Sequence, residues 1–214
     1  MQSARAPPPH QIRSVQAVTR DVRKPTNRDK LLANGLRVVH QQGLAGASVR
    51  DIVEAAGVPQ GSFSNHFASK EAFGVEILDL YFGFTKKVLA DTLNNKDLKP
   101  LKRLEAYIDA NQAFLEQWGV ENGCLYGTYA AEITGHDEPI RRRLVEIFKL
   151  LEGSLTACLK EAVKAGELPQ DFNCKEVGDF ILSSLQGAIL LSKGKRDTSP
   201  MTKFKRVLFA SILR

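Results

Sequence analysis

The sequence predicts an all-α protein, a three-helix N-terminal head followed by a larger helical body, with about nine helices in all. Three observations carry this. Apolar residues recur at i, i+3, i+4 spacing along most of the chain. Caps, first-turn prolines and terminal glycines fall between the periodic segments. After residue 71 no sustained alternation marks a strand, and Asn122-Gly123 lacks the flanking alternating runs of a hairpin.

In the head, Thr26 caps a first helix, with Asp29 at the capping-box position. Leu32, Leu36 and Val39 line one side, and the helix is expected to end near Gln42-Gly43. Val49, Ile52, Val53 and Ala56 share the inner face of a second helix. Gly57 ends it, because glycine takes the left-handed backbone at no steric cost. Val58 drops into the core at the corner and Pro59 suits the entry to a third helix, Gln60 to Phe67. Phe63 and Phe67, four apart, bury that helix and leave Gln60, Ser62, Ser64, Asn65 and His66 facing outward or sideways. Ser69 caps a long fourth helix from Lys70 towards Asn94, which Phe73, Ile77, Leu80 and Tyr81 hold against the head.

In the body, Pro100 opens a fifth helix to about Trp118, with Leu101, Leu104, Ile108, Asn111, Leu115 and Trp118 inside. A buried polar group needs a partner, so Asn111 either bonds within the core or faces a pocket. A sixth, short helix from Leu125 to Thr134 carries Tyr126 and Tyr129. Asp137 caps a seventh that buries Ile140, Leu144, Ile147, Phe148, Leu151, Leu155 and Leu159 and stops at Ala165-Gly166. Asn173 with Glu176 starts an eighth, and Ser199-Pro200 a ninth. The last two have apolar faces wide enough for their own core and for a second subunit; Phe180, Ser184, Ala188, Phe204 and Leu208 are the candidate dimer-interface residues. The domain reading is residues 1–25 as a flexible basic arm with Pro7-Pro8-Pro9, 26–72 as the head and 73–214 as the body, with a short basic helix over 11–23 as an option on DNA.

Charge separates the two ends. Residues 1–70 hold ten Lys/Arg against four Asp/Glu and residues 71–214 hold twenty of each, so the whole net charge of +6 lies at the head end. Such a surface suits phosphate, although part of the excess is a solvated tail. No apolar run approaches the ~18 residues of a membrane span, so no membrane partner is expected. Three cysteines without C-x-x-C or a nearby histidine indicate neither disulfides nor zinc and fit a reducing cytoplasm. Four scattered histidines, no Gly-rich phosphate loop and no nucleophile motif argue against an enzyme, and no cofactor is expected.

A small polar face on a firmly seated helix is what the major groove of double-stranded DNA accepts. The candidate contacts are Ser48, Pro59, Gln60, Gly61, Ser62, Ser64, Asn65, His66 and Lys70. Asn65 or Gln60 can pair bidentately with adenine, and Ser48 and Lys70 sit at helix starts, which attract phosphate. In the body Tyr107, Asn111, Phe114, Trp118, Cys124, Tyr126 and Tyr129 are the candidate effector pocket, although aromatics at this spacing also serve as core. With few charges, such a pocket favours a small, largely apolar effector with one or two polar groups. Cys124 follows a glycine where a helix begins. It is read either as a thiolate activated by the helix N-terminus or as a small residue packed at a helix start. Cys158 is read as core, Cys174 as an incidental residue near a surface turn, and His136 has no assigned role.

Residues 28–82 resemble the DNA-binding head of the TetR family of bacterial one-component regulators. The likeness lies in the apolar first helix ending at Gly43, then Ala47-Ser48-Val49-Arg50-Asp51-Ile52-Val53, Ala55-Ala56-Gly57-Val58, Gly61-Ser62-Phe63 and His66-Phe67-Ala68-Ser69-Lys70-Glu71, without a gap. It departs at Ser64, where the family usually has an aromatic, most often tyrosine, that contacts DNA. Gly123-Cys124-Leu125-Tyr126-Gly127-Thr128 with Ala130-Ala131-Glu132, Gly166-Glu167-Leu168 and Gln186-Gly187-Ala188 resemble one subgroup, with Thr128 replacing a common asparagine. The resemblance implies an effector pocket within helices five to eight and a four-helix dimer interface from the last two. The reading is therefore a homodimeric cytoplasmic bacterial regulator, a repressor released from a palindromic operator by a small-molecule effector. The alternatives are an electrophile or redox switch through Cys124, and a helical ligand-binding protein with altered DNA binding.

Overall fold

The computed structural model describes residues 24–135 and 137–214. The expectations for the arm, the option of a helix over 11–23 and His136 fall outside these residues. Among the described residues there are nine α-helices and no strand.

Helix α1, Asn27–Gly46, opens on the expected capping box: Thr26 Oγ1 accepts from the Asp29 amide at 3.2 Å, and Asp29 Oδ2 accepts from the Thr26 amide at 2.9 Å. It runs past its predicted end, with a break at Gly43 (φ 77°, ψ 166°). The cause lies far along the chain. Glu132 accepts from the amides of Leu44 and Ala45 at 2.8 and 3.1 Å, so its carboxylate caps the helical turn that resumes after the break. The positive φ at residue 43 favours glycine, and a Cβ there would lie 1.7 Å from Glu132 Oε1 and displace the capping carboxylate.

Helix α2, Val49–Ala56, begins with a second capping box, Ser48 with Asp51, and ends at Gly57 in the left-handed conformation (φ 60°, ψ 41°). Helix α3 is only Ser62–His66, shorter than predicted, because Pro59 takes the turn instead of opening the helix and its carbonyl accepts from the Ser62 amide at 2.9 Å. Five residues cannot hold a helix in water. Packing does: the rings of Phe63, Phe67 and Phe73 lie pairwise 5.2, 4.9 and 5.2 Å apart. The Arg28 guanidinium covers Phe67 at 5.4 Å and pairs with Glu76.

Helix α4, Lys70–Asp91, contributes Phe73 and Glu76 to the head and then continues into the body. The body adds α5 (Pro100–Trp118), α6 (Leu125–Glu132), α7 (Glu138–Lys164), α8 (Cys174–Lys195), α9 (Ser199–Val207) and a closing π-helical turn, Leu208–Ile212. Its centre is α7, packed on α4, α5 and α8 through Leu144, Ile147, Leu151, Leu155 and Leu159. Cys158 is core, as expected. Cys174 does lie beside a turn, as the first residue of α8, but its side chain is buried.

Truncating Phe63 to alanine removes a ring from the aromatic cluster that seats α3. Phe63→Ala should lower stability by about 3–5 kcal/mol, seen as a clear fall in the thermal unfolding midpoint; near-normal melting would show that the triad does not hold the head.

Candidate DNA-reading surface and effector cavity

Around α3 the structure brings most of the predicted contact residues to one surface. Pro59, Gln60, Gly61, Ser64, Asn65 and His66 are exposed. Ser64 donates to the Gly61 carbonyl at 3.2 Å, which ties its hydroxyl to the turn before the helix. Ser62 departs from expectation. It is buried at 7 % exposure and its hydroxyl accepts from Asn27 Nδ2 at 3.4 Å, since position 62 precedes the anchoring Phe63 and turns with it towards α1.

Two expected phosphate contacts have internal duties. The Ser48 hydroxyl donates to Asp51 Oδ2 at 2.6 Å, and this bond, with that from the Ser48 amide, holds the Asp51 carboxyl below its usual pKa. Ser48 is thus the cap of α2, a role that Asp51 three residues later signals in the sequence. Lys70 Nζ donates to the Ala45 carbonyl at 3.2 Å, tying the start of α4 to the end of α1.

In the body, five helices enclose a cavity of about 50 Å³. Tyr107, Asn111, Phe114, Cys124 and Tyr126 line it as predicted. Asn111 both bonds internally and faces the space: its amide nitrogen donates to the Tyr107 carbonyl at 2.8 Å. Two predicted residues are not in the wall. Trp118 stands behind it, stacked on Phe114 at 5.4 Å and against His40 at 5.5 Å. Tyr129 is buried on the side of α6 that meets α4, where its hydroxyl donates to the Gly74 carbonyl at 3.2 Å. Sequence reading missed Tyr81, Phe84, Thr85 and Val88 of α4, whose i, i+3, i+4, i+7 spacing was a usable signal. Tyr81 accordingly faces the body and not the head. Gln186 of α8 completes the polar side, and Thr85 and Tyr126 share a hydroxyl–hydroxyl bond of 2.7 Å.

Among the described residues, those lining the cavity include no Asp, Glu, Lys, Arg or His. Burial raises the pKa of Tyr107 to about 12 and raises that of Tyr126 further. Cys124 precedes α6 as its cap residue, but burial also pushes its thiol up, outweighing the opposing pull of the Gly127 and Tyr126 amides and of Gln186. Desolvation therefore opposes the activated-thiolate reading more strongly than the helix N-terminus favours it, although Cys124 as a residue is only half-buried.

Of the predicted dimer residues, Phe180 is exposed and Ser184 and Phe204 are half-buried. Ala188 and Leu208 are buried inside the protomer, because their positions turn them towards its own core, and they leave no side-chain surface for a partner. Exposed apolar side chains lie instead at Leu150, Phe180, Leu190, Leu191 and Val207.

A short reading helix after a tight turn, on a small head carried by a helical body, defines a helix-turn-helix DNA-binding protein. Residues 31–77 match the family described as "Bacterial regulatory proteins, tetR family", and residues 100–208 match "Tetracyclin repressor-like, C-terminal domain". The chain is 34% identical over 186 residues to the HTH-type transcriptional repressor DhaR of Mycobacterium sp. (strain GP1), covering 87% of this chain and 92% of that one. It is 32% identical over 114 residues to the HTH-type transcriptional repressor NemR of Escherichia coli K12, covering 53% of this chain and 57% of that one. Among solved structures, a TetR regulatory protein from Rhodobacter sphaeroides superposes with a TM-score of 0.80 at 25% identity, covering 85% of this chain and 96% of that chain. The chain belongs to the TetR family of bacterial transcriptional regulators, which bind DNA through the helix-turn-helix and are not enzymes. No described helix is long and apolar enough to cross a membrane.

One buried group beside the cavity had no sequence signal. His40 of α1 is 1 % exposed, lies 5.7 Å from the Tyr81 ring, and its Nε2 is 3.0 Å from the Gly123 carbonyl, while Nδ1 has no partner. Burial lowers its pKa, partly offset by the Gly123 carbonyl and reinforced by the charge of Lys193. Below a pH of about 6.5 the unfolded chain takes up a proton that the folded chain refuses, so acid favours unfolding until the folded pKa is passed. The melting temperature should fall as pH drops from 7 towards 5.5, and His40→Gln should flatten that slope. An equal slope in the variant would exclude His40 as its source.

Proposed function

We propose that the chain is a homodimeric repressor, released from a roughly palindromic operator by a small effector bound in the cavity. In this reading residues 26–72 read DNA and residues 73–214 sense and dimerise. The observation that carries it is the continuity of α4, which holds Phe73 in the head triad and Tyr81, Phe84, Thr85 and Val88 in the cavity wall on one unbroken helix. At ~1.5 Å per residue, Phe73 and Val88 are about 22 Å apart along it. A second link supports the reading: α6 begins beside Cys124 at the cavity and ends at Glu132, whose carboxylate holds Leu44 and Ala45. An effector that shifts either helix changes DNA affinity, and DNA changes effector affinity by the same factor.

Repression is supported by the names of relatives such as DhaR and NemR. We take Gly123-Cys124-Leu125 as the mark of a subgroup, because it forms the corner where α6 meets the cavity. For the dimer, Phe180, Ser184, Gly187 and Leu191 form one outward stripe of α8, with Val207 of α9 also exposed. A two-fold pairing through that stripe gives two heads and a two-fold operator. The raised pKa of the half-buried Cys124 speaks against the electrophile switch as the main mode.

Selection of bound sequences from random duplex DNA tests the whole reading, since enrichment of a palindrome is expected. On the selected operator, Asn65→Ala should cost about 1–3 kcal/mol of discrimination against random DNA, while binding to random DNA stays nearly unchanged in a gel-shift titration. Equal loss on both would remove Asn65 from base reading. Phe180→Glu should convert the dimer to monomer in sedimentation velocity and abolish operator binding; a variant that stays dimeric would move the interface off α8.

A further inference from the structure

We infer that the basic segment before Thr26 is a second DNA-binding element, which holds backbone phosphates of the duplex beside the groove that α3 enters. The inference rests on the reading of α3 as the helix that meets base edges, and it supplies the charge that this helix lacks. Residues 48–69, which make up the helix-turn-helix, contain one cation, Arg50, against Asp51 and Glu54, a net charge of −1. Bonds from the Ser48 hydroxyl and amide hold the Asp51 carboxyl below its usual pKa, so it is ionised at neutral pH. Arg50 already pairs with Glu54 at 2.7 Å, and a phosphate would have to compete for it. Duplex DNA carries one negative charge per about 1.7 Å of axis, and binding that ignores sequence comes almost wholly from cations laid along it. A reading unit of this charge does not attract that backbone.

The rest of the folded head adds little. Arg28 pairs with Glu76 and covers the Phe67 ring, and Lys70 donates to the Ala45 carbonyl. Lys30 and Arg37, the other cations of residues 26–70, belong to α1. Residues 1–25 hold Arg5, Arg13, Arg20, Arg23 and Lys24 against Asp21 alone, so +4 of the chain's net +6 lies there.

Placement brings this charge to the DNA side. Asn27, the first residue of α1, donates from Nδ2 to the hydroxyl of Ser62, the first residue of α3, at 3.4 Å. One residue on, Arg28 lies over the Phe67 ring at 5.4 Å. The chain therefore enters α1 alongside α3, and Lys24, Pro25 and Thr26 are exposed there. A chain spans at most ~3.6 Å per residue, so Arg23 and Lys24 stay within about 11 Å of Thr26, and Arg20 within about 22 Å, on any path. The major groove is about 12 Å wide, so the phosphates that border it fall inside that radius. Contacts to phosphate carry no sequence information, so the segment contributes affinity and leaves the choice of sequence to α3.

The test compares the full chain with a full-chain variant carrying Arg5→Gln, Arg13→Gln, Arg20→Gln, Arg23→Gln and Lys24→Gln together, on the selected operator and on random duplex, over about 50–200 mM salt. The slope of log affinity against log salt should become shallower by about 0.9 for each phosphate given up, at least ~2 in all, and affinity at ~0.1 M salt should fall about tenfold or more on both DNAs alike. Changing the four arginines to lysine instead keeps the charge and should leave binding like that of the parent chain. All three chains should melt at the same temperature. An unchanged slope in the glutamine variant would overturn the inference. So would a loss on the operator with random duplex unaffected, a loss in the lysine variant as large as in the glutamine variant, or a lowered melting temperature, which would put these cations in the service of the fold. Failure of the parent chain to bind either DNA would defeat the reading of α3 and the inference with it; binding by the parent with an unchanged slope in the glutamine variant defeats the inference alone.

Discussion

Everything this protein does with DNA depends on three phenylalanine rings. Helix α3 has five residues and a single turn's worth of backbone bonds, far below the length at which a helix persists alone. Its outward face carries small polar groups that bury no apolar surface. Phe63 and Phe67 supply the burial, and Phe73 of α4 closes the cluster from the other side. The helix that follows the turn of the helix-turn-helix is thereby fixed to the helix that runs into the body and past the cavity. Position and signal use the same contact.

That arrangement gives the molecule two connections between cavity and head, of different physical kinds. Along α4 the connection is stiff and apolar: displacement of Tyr81 or Thr85 moves the frame that carries Phe73. Through α6 it is polar and breakable, since two amide bonds to one carboxylate hold the resumed turn of α1 after Gly43. The carboxylate satisfies amides that the break in α1 would otherwise leave open. Moving α6 by an ångström or two would lengthen both bonds beyond useful range. Lys70, bonded to the Ala45 carbonyl in the same turn, carries such a change to the start of α4. The break at Gly43 is thus a joint with a removable pin.

Much of this was legible in the sequence. The nine helices follow from apolar spacing and caps, and the head from the run Ser48–Lys70 with Phe63 and Phe67 as anchors. Half of the cavity wall follows from polar and aromatic residues on the inner faces of α5 and α6. What escaped was set by distant partners. Nothing near Gly43 says that α1 resumes, because the reason is Glu132, eighty-nine positions away. Tyr129 and Trp118 have the composition of pocket residues, and only the rotation of their helices turns one to Gly74 and the other to His40. Ala188 and Leu208 lie on faces wide enough to point either way, so periodicity could not divide them between core and partner. Ser62 shows the same limit at a smaller scale, since one position's rotation decides whether a hydroxyl meets solvent or Asn27.

Cys124 shows how two local rules compete and how magnitude decides between them. A cap position at the start of α6 aims backbone amides at sulfur and favours the thiolate, an effect of limited strength for one short helix. Transfer of the ionised sulfur into a wall of aromatic rings and neutral hydroxyls opposes it, and burial is the larger of the two. The same removal from water raises the pKa of Tyr107 and Tyr126 as well, so one physical cause acts on all three groups of the wall. The Cys124 thiol is therefore a poorer nucleophile at neutral pH than a free cysteine, even though the residue itself is only half-buried.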